Sequence, residues 1–519
     1  MVFDSGSKVV KCVIAESSGK IRAMEQITPE IIKSDDGFSR NYNVKTFWPV
    51  LLELVKHTIS QAKVTAKEIR YITACCIRPS SIYADENAQP LHIGTSFDLR
   101  GINSVGELED QFQNQTGRSF YEITGHNPAL LFAPANLAAF REQLKEKDED
   151  INRLQQYFSM DSWLLTRMGA EPHISYSAAA ESGFFDLHHR CWHEAWTDIL
   201  DLPDYFLPFP VQSGEIVGSV SEEMQKELGF SPETELVAGL PDTQAALLGC
   251  NCIHTGDIAA ALGSTTPVQG LTSKLYLDPN GNTWAGLMTV KNITDCYYVE
   301  TNTGITGQIV KWGAQLFAHD PQASWKEKFQ RLDLLFQQYD EEEQKISAAD
   351  LMARATYAFL GPSALASNST GISPGIFYFP TPGGPDEMEM PPNRMVGALF
   401  DNIQFAITKN IEYNRNVLRT LGEPERSTTI VGGITRNPTL CQRFADTLNV
   451  PLQISTDPEC TIQGLLTLCR IAGGEIKSID DVIPLHRTHI KQLSPRAEMK
   501  EKMQLKCQQW ELLKKKFTN

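Results

Sequence analysis

Short β-branched runs alternate with stretches of helical periodicity along most of this chain. Residues 8–15, Lys-Val-Val-Lys-Cys-Val-Ile-Ala, alternate polar and apolar positions and read as a strand. That strand follows the turn Asp4-Ser-Gly-Ser7, and Gly19 marks the next turn. Phe47, Leu51, Leu54, Val55 and Ile59 recur at helical spacing. Residues 69–76 read as a buried strand, residues 106–157 as mainly helical, and the charged run 145–150 as a solvated turn or helix face. Near residues 250–258 the pattern restarts. Residues 257–270 again give strand, glycine-hydroxyl turn, strand, an echo of residues 4–15.

Strands and helices in alternation predict an α/β protein with mixed sheets flanked by helices, and the echo predicts two domains on one plan. The acidic stretch 340–343 reads as an exposed connection, and the proline- and glycine-rich segment 374–392 as an irregular loop. The charged tail 496–517 is expected to be helical and to pack on the surface or join an oligomer such as a homodimer.

The bulk properties narrow the function class. The chain has 519 residues, 41% apolar and 21% charged, as in globular proteins. Its apolar runs are strand-sized, so no membrane span is expected, and no signal peptide pattern is present at the start. A net charge of -16 argues against a nucleic-acid partner and against acidic membranes. The 11 cysteines follow no metal or redox spacing and read as reduced core residues of a cytoplasmic protein. His188, His189 and His193 match no standard ligand set and read as surface or structural residues.

Four segments carry candidate chemistry. In Asp4-Ser-Gly-Ser7, Gly6 lets the backbone approach a phosphate, Ser7 can donate to it, and Asp4 can hold Mg²⁺ through water. By itself this is also an ordinary β-turn. Gly263-Ser264-Thr265-Thr266 repeats the logic with three consecutive hydroxyls between apolar strands. Asp242 follows Gly239-Leu-Pro and precedes Ala-Ala-Leu-Leu, which is the look of a helix N-cap. A capping carboxylate can still face a cleft and act as a general base toward an alcohol. Gly432 and Gly433 end a strand, and Asn437-Pro438 then opens a helix that should run to about Leu448. The two glycines either leave a flat surface for adenine or serve the loop's dihedrals. Gly304 and Gly307 likewise either open space beside a nucleotide or are loop residues.

In order along the chain these pieces resemble the FGGY carbohydrate kinases of the actin-like ATPase superfamily. The resemblance rests on Asp4-Ser-Gly-Ser7, the stretch 176–192, Gly239-Leu-Pro-Asp242, Leu262-Gly-Ser-Thr-Thr266 and Val431-Gly-Gly-Ile-Thr-Arg-Asn-Pro; Glu459 and Gly464 match the closing helix in part. It implies two actin-like (ribonuclease H-like) domains, residues 1–251 binding sugar and 252–480 binding nucleotide, with a helical tail at 481–519 and the active site in the cleft between the domains. It further implies ATP and Mg²⁺ as cofactors, with Asp242 as catalytic base and Asp4 and Asp242 at the metal. Phosphates fall to Gly6, Ser7, Gly263, Ser264 and Thr265, and the rest of the nucleotide to Gly304, Gly307, Gly432, Gly433 and Asn437. The sugar falls to Arg78, Asp98, Arg100 and Asp242.

Several departures surround the sugar positions. Little chain precedes Asp4, so the family's usual first strand is expected to be nearly absent. Pro79 stands after Arg78 where glycerol kinases carry glutamate, Phe97-Asp98 lacks a preceding tryptophan, and residues 379–384 lack Gly-Glu-Arg. The expected activity is therefore ATP-dependent phosphorylation of a sugar or polyol, a ketose such as a pentulose foremost. The rivals are a catalytically impaired sensor of sugar or nucleotide, and an actin- or chaperone-like ATPase.

Overall fold

The computed structural model describes all residues except 7–8, 36, 361–374, 380–390, 458, 487–488 and 519. Two mixed sheets of seven strands, flanked by helices, form the framework. The chain divides into two compact units. One comprises Met1–His254, Thr272–Val299 and Glu459–Arg487, and the other Thr255–Leu271, Glu300–Pro458 and Thr488–Asn519.

In the first unit the strand order is Ile216–Ser219, Glu235–Val237, Tyr71–Cys76, Val2–Ser5, Val10–Ala15, Ile21–Ile27. Tyr71–Cys76 is parallel to Val2–Ser5 and to Glu235–Val237, whereas Val2–Ser5 and Val10–Ala15 form an antiparallel hairpin. The first strand is thus present in four residues, and Asp4 sits on it rather than in the turn beyond. Burial of Ile72, Ala74, Cys75 and Cys76 explains why the central strand reads as a continuous apolar run. The helix Phe47–Ala62 buries Phe47, Leu51, Leu54 and Val55 on one stripe, as the spacing predicted, and stops at Lys63 in a left-handed turn with φ 56°.

The second unit repeats the arrangement. Ile258–Ala261 and Thr265–Thr272 form an antiparallel hairpin, and Ile258–Ala261 is parallel to Thr428–Val431. Leu452–Ser455 follows in parallel and Ile490–Leu493 antiparallel. The echo in the sequence is therefore real: each half has a hairpin whose first strand gains a parallel neighbour. The core of this unit gathers Ile258, Ala260, Val268, Phe336, Phe400, Ile430 and Phe444.

Two expectations need correction here. Residues 340–343 are not an exposed connection but lie in the helix Trp325–Lys345, where Asp340 and Glu343 are buried. The cause is Arg443, a fully buried guanidinium a hundred residues away. It donates to Asp340 at 2.7 Å, Glu343 at 2.9 Å and Asp401 at 2.6 Å. Lys506 donates to Glu343 and Asp401 at 2.6 Å each, and Arg496 to Asp340 at 2.8 Å and Asp446 at 2.7 Å. The stretch 374–392 contains a short strand, Ile376–Tyr378, paired with Tyr357–Phe359, and a helix begins at Pro392; most of the expected loop lies outside the described residues. The tail is helical, Ala497–Thr518, and buries Met499, Met503, Cys507, Trp510 and Leu513 against Tyr357 and Phe405.

Candidate active site

The central strand of the first unit builds the site around Asp242. Cys75 has Asp4 as its register partner on one side and Leu240 on the other, and Pro241 pairs with Cys76. Two neighbouring strands therefore deliver Asp4 and Asp242 to the same region. The Cys75 thiol, pushed far up by burial, stays neutral and donates to Asp4 Oδ1 at 3.3 Å.

Asp242 is the first residue of the helix Asp242–Gly249, with Pro241 at the N-cap position. It is not the N-cap the sequence suggested, because Pro241 supplies the extended residue ahead of the helix. Its Oδ1 accepts instead from the Thr243 N–H at 2.7 Å and the Thr243 hydroxyl at 3.2 Å. About a third of the side chain, 35%, stays exposed. Desolvation raises its pKa to about 6; the Arg78 guanidinium opposes the rise and Asp4 adds to it.

Arg78, just past the strand, spans this group. Its Nη2 donates to Thr243 Oγ1 and its Nη1 to Glu181 Oε1, each at 3.0 Å, while Nε stands 3.9 Å from Asp242 Oδ1. Lys11 on the adjacent strand donates to Glu459 Oε2 at 2.7 Å and lies 3.4 Å from Asp4. Asp4, Arg78 and Asp242 are thus brought together. Asp98 and Arg100 form a separate group: Asp98 is buried, accepting from Arg100 Nε at 2.9 Å and the Arg40 N–H at 3.2 Å, with His92 Nε2 at 3.1 Å. Gly6 closes the first hairpin through its N–H to the Val9 carbonyl at 3.0 Å. Ser7 lies outside the described residues.

In the second unit three glycine-bearing segments meet. The Gly263 carbonyl accepts from the Gly307 N–H at 3.2 Å, where the helix Gly307–Phe317 starts, and the Ser264 carbonyl from the Thr306 N–H at 3.0 Å. Thr266 and Thr306 hydroxyls pair at 2.7 Å, and Gly304 precedes them with its N–H on Asn302 at 2.9 Å. Gly432 closes the third side with φ +104°, and a Cβ there would stand 2.4 Å from the Leu262 carbonyl, so only glycine fits. Gly433 is exposed with nothing within 4 Å of a Cβ position, which leaves its backbone open to a ligand. Ser264 and Thr265 are half-buried at the turn. Asn437 caps the helix Pro438–Leu448 through the Leu440 N–H at 2.8 Å and donates to Asp333 at 2.7 Å.

Sequence reasoning missed the partners that hold these groups. Thr243, Lys11, His126, Gln244 and Tyr298 carried no motif of their own, and Glu181 lies in the stretch 176–192 without a role assigned to it. Only the adjacency of Thr243 to Asp242 was a readable signal. Tyr298 lies 220 residues from Arg78, a separation that no local pattern spans.

The N-terminal domain of the FGGY family of carbohydrate kinases matches residues 1–249, and its C-terminal domain matches residues 258–473. The chain belongs to this family. It is a carbohydrate kinase, a phosphotransferase of a family that uses ATP, typically with Mg²⁺. A putative sugar kinase of Bacillus subtilis (strain 168) is 24% identical over 478 residues, covering 90% of this chain and 89% of that one. An autoinducer-2 kinase of Yersinia enterocolitica is 24% identical over 482 residues, covering 91% and 85%. Among solved structures, a xylulose kinase from Lactobacillus acidophilus has a TM-score of 0.80 at 17% identity, covering 100% of this chain and 99% of that chain. A glycerol kinase from Plasmodium falciparum, solved with ADP, has a TM-score of 0.80 at 17% identity, covering 99% and 98%. These likenesses confirm the expected actin-like fold. Among the described residues no helix is long and apolar enough to cross a membrane.

Proposed function

We propose that this FGGY kinase transfers the γ-phosphoryl group of ATP to a hydroxyl of a sugar or polyol, a ketose such as a pentulose foremost, with Asp242 as the general base. One observation carries the reading. Asp242 is a partly exposed carboxylate at a helix start, with its pKa lifted to about 6. At neutral pH it is ionised, yet it is more basic than an ordinary aspartate, which suits proton abstraction from an alcohol. Its Oδ1 is occupied by Thr243, which fixes the carboxylate's orientation.

Asp4 and Asp242 suit a hard divalent cation, because both offer carboxylate oxygens and Asp4 already pushes the Asp242 pKa up. A magnesium ion held there would neutralise charge on the transferred phosphoryl. Lys11 adds a cation beside Asp4. The backbone of Gly263, Ser264 and Thr265 is read as the phosphate turn, and the open Gly433 backbone, with Gly432, Gly304, Gly307 and Asn437 around it, as the nucleotide surface. Arg78 is read as a contact to the acceptor beside Asp242, and Asp98 and Arg100 as a more distant support of the sugar region.

The test is a coupled ADP-release screen over pentuloses, hexuloses, polyols and aldoses. Acceptor-dependent ADP release that disappears in Asp242→Asn supports the reading. No release with any acceptor, or full activity in the variant, overturns it.

A further inference from the structure

Glu181 lies in the stretch 176–192 with no role assigned to it there, yet four side chains converge on it. Its Oε1 accepts from Arg78 Nη1 and Gln244 Nε2, each at 3.0 Å, and from the Tyr298 hydroxyl; its Oε2 faces His126 Nε2 at 3.3 Å. The other ring nitrogen of His126 lies 2.7 Å from the Thr124 carbonyl, so both nitrogens face oxygen acceptors and the ring is held from two sides. The Glu181, His126, Tyr298 and Gln244 side chains are all buried. Burial pushes the Glu181 pKa up, but Arg78, His126 and Tyr298 outweigh it and hold the carboxylate down at about 2. A buried carboxylate saturated with donors is a rigid, ionised anchor.

The consequence falls on Arg78. A guanidinium is a planar fork, so two anchored nitrogens define its plane. Glu181 takes Nη1 and Thr243 takes Nη2, which leaves the Nε edge 3.9 Å from Asp242 Oδ1. That is too long for a hydrogen bond but close enough for attraction. Without the negative charge of Glu181, the guanidinium loses a pull that opposes its attraction to Asp242, whose Oδ1 stands 3.9 Å away. Arg78 would then close on Oδ1 as a direct, charge-assisted pair and lower the basicity of the carboxylate that must accept a proton.

We propose that Glu181 is a positioning residue that holds the Arg78 guanidinium away from direct pairing with Asp242. The inference rests on the reading of Asp242 as the base, and it assigns Tyr298, Gln244 and His126 the task of fixing Glu181 in turn.

The test compares full-length wild type with Glu181→Gln and Tyr298→Phe by crystal structure and by kinetics at a temperature where all are folded. In Glu181→Gln the Arg78 guanidinium is expected to close to hydrogen-bond distance of Asp242. The kcat should fall about tenfold to a hundredfold with a smaller change in acceptor KM. Tyr298→Phe, which keeps every charge, should change kcat in the same direction by less, and it serves if the glutamine variant does not fold. A purely structural Glu181 would lower the melting temperature of both variants and leave kcat per folded molecule intact, which overturns the proposal. Arg78 unmoved in the Glu181→Gln crystal also overturns it. Closure of Arg78 onto Asp242 in a protein whose wild type phosphorylates no acceptor would uphold the anchor and bring down the kinase reading alone.

Discussion

Gly464 meets Ala245 backbone to backbone: a Cβ built on Gly464 would stand 1.9 Å from the Ala245 carbonyl oxygen. The contact is reciprocal, since a Cβ on Gly249 would stand 2.0 Å from the Cys460 carbonyl. The helix Cys460–Ala472 therefore lies directly on the helix Asp242–Gly249, whose first residue is the candidate base. Gly464→Ala must push the two helices apart. Overpacking of this kind costs about 1–3 kcal/mol. The expected outcome is a lower melting temperature together with lower kcat, measured by calorimetry and by ADP release. A variant with wild-type melting and activity would show that the helices do not need this approach.

Asp242→Asn is expected to lose about a hundredfold to ten-thousandfold in kcat while keeping its affinity for nucleotide. In the wild type the base must be ionised. Since its pKa is raised to about 6, kcat/KM should fall as pH drops through that value. An acid limb near the ordinary aspartate range would contradict the raised value.

Gly433→Ala separates stability from nucleotide binding. Nothing stands within 4 Å of the added methyl group, so the melting temperature should hold. If the backbone there faces adenosine, KM for ATP rises. Unchanged ATP affinity by titration calorimetry would remove Gly433 from the nucleotide surface.

Arg443→Met leaves Asp340, Glu343 and Asp401 buried with fewer cations. Breaking a buried pair by removing one partner costs about 3–5 kcal/mol. Strong destabilisation is expected, read by urea denaturation. Because the same carboxylates bind Lys506 and Arg496 on the tail, limited proteolysis should also cut earlier within 497–518. A small loss of stability would mean that the remaining cations suffice.

His92 should set a mild acid sensitivity. Burial lowers its pKa from 6.5 to about 4, with Arg100 adding to the fall and Asp98 opposing it. The unfolded chain therefore binds more protons than the native one between these values. The stability contributed by neutral His92 is present above pH 6.5 and is lost as pH falls through about 4. His92→Gln should flatten the stability profile in that window, measured by denaturant midpoints at several pH values.

Much of the architecture was legible along the chain, because strands and helices announce themselves by local periodicity. The helix Phe47–Ala62, the central strand Tyr71–Cys76, the paired hairpins and the Asn437 cap all follow from patterns local in the chain. The acid at 242 and the hydroxyl turn at 263–266 were equally visible, since their neighbours are small, apolar and unusual for plain loops. The acidic run at 340–343 was misread for the same reason that it was visible. Local composition reports charge, whereas burial depends on Arg443, Arg496 and Lys506 arriving from far along the chain.

The order of residues by itself determined the elements, the two-fold plan and the candidate acid, because each is encoded in short-range spacing. Only the tertiary structure decided that Arg78, Glu181, Thr243 and Tyr298 form one group, and that Asp98 and Arg100 form another. Electrostatic and hydrogen-bonding partners act over a few ångströms of space, and folding brings such partners together from positions that sequence separation does not reveal.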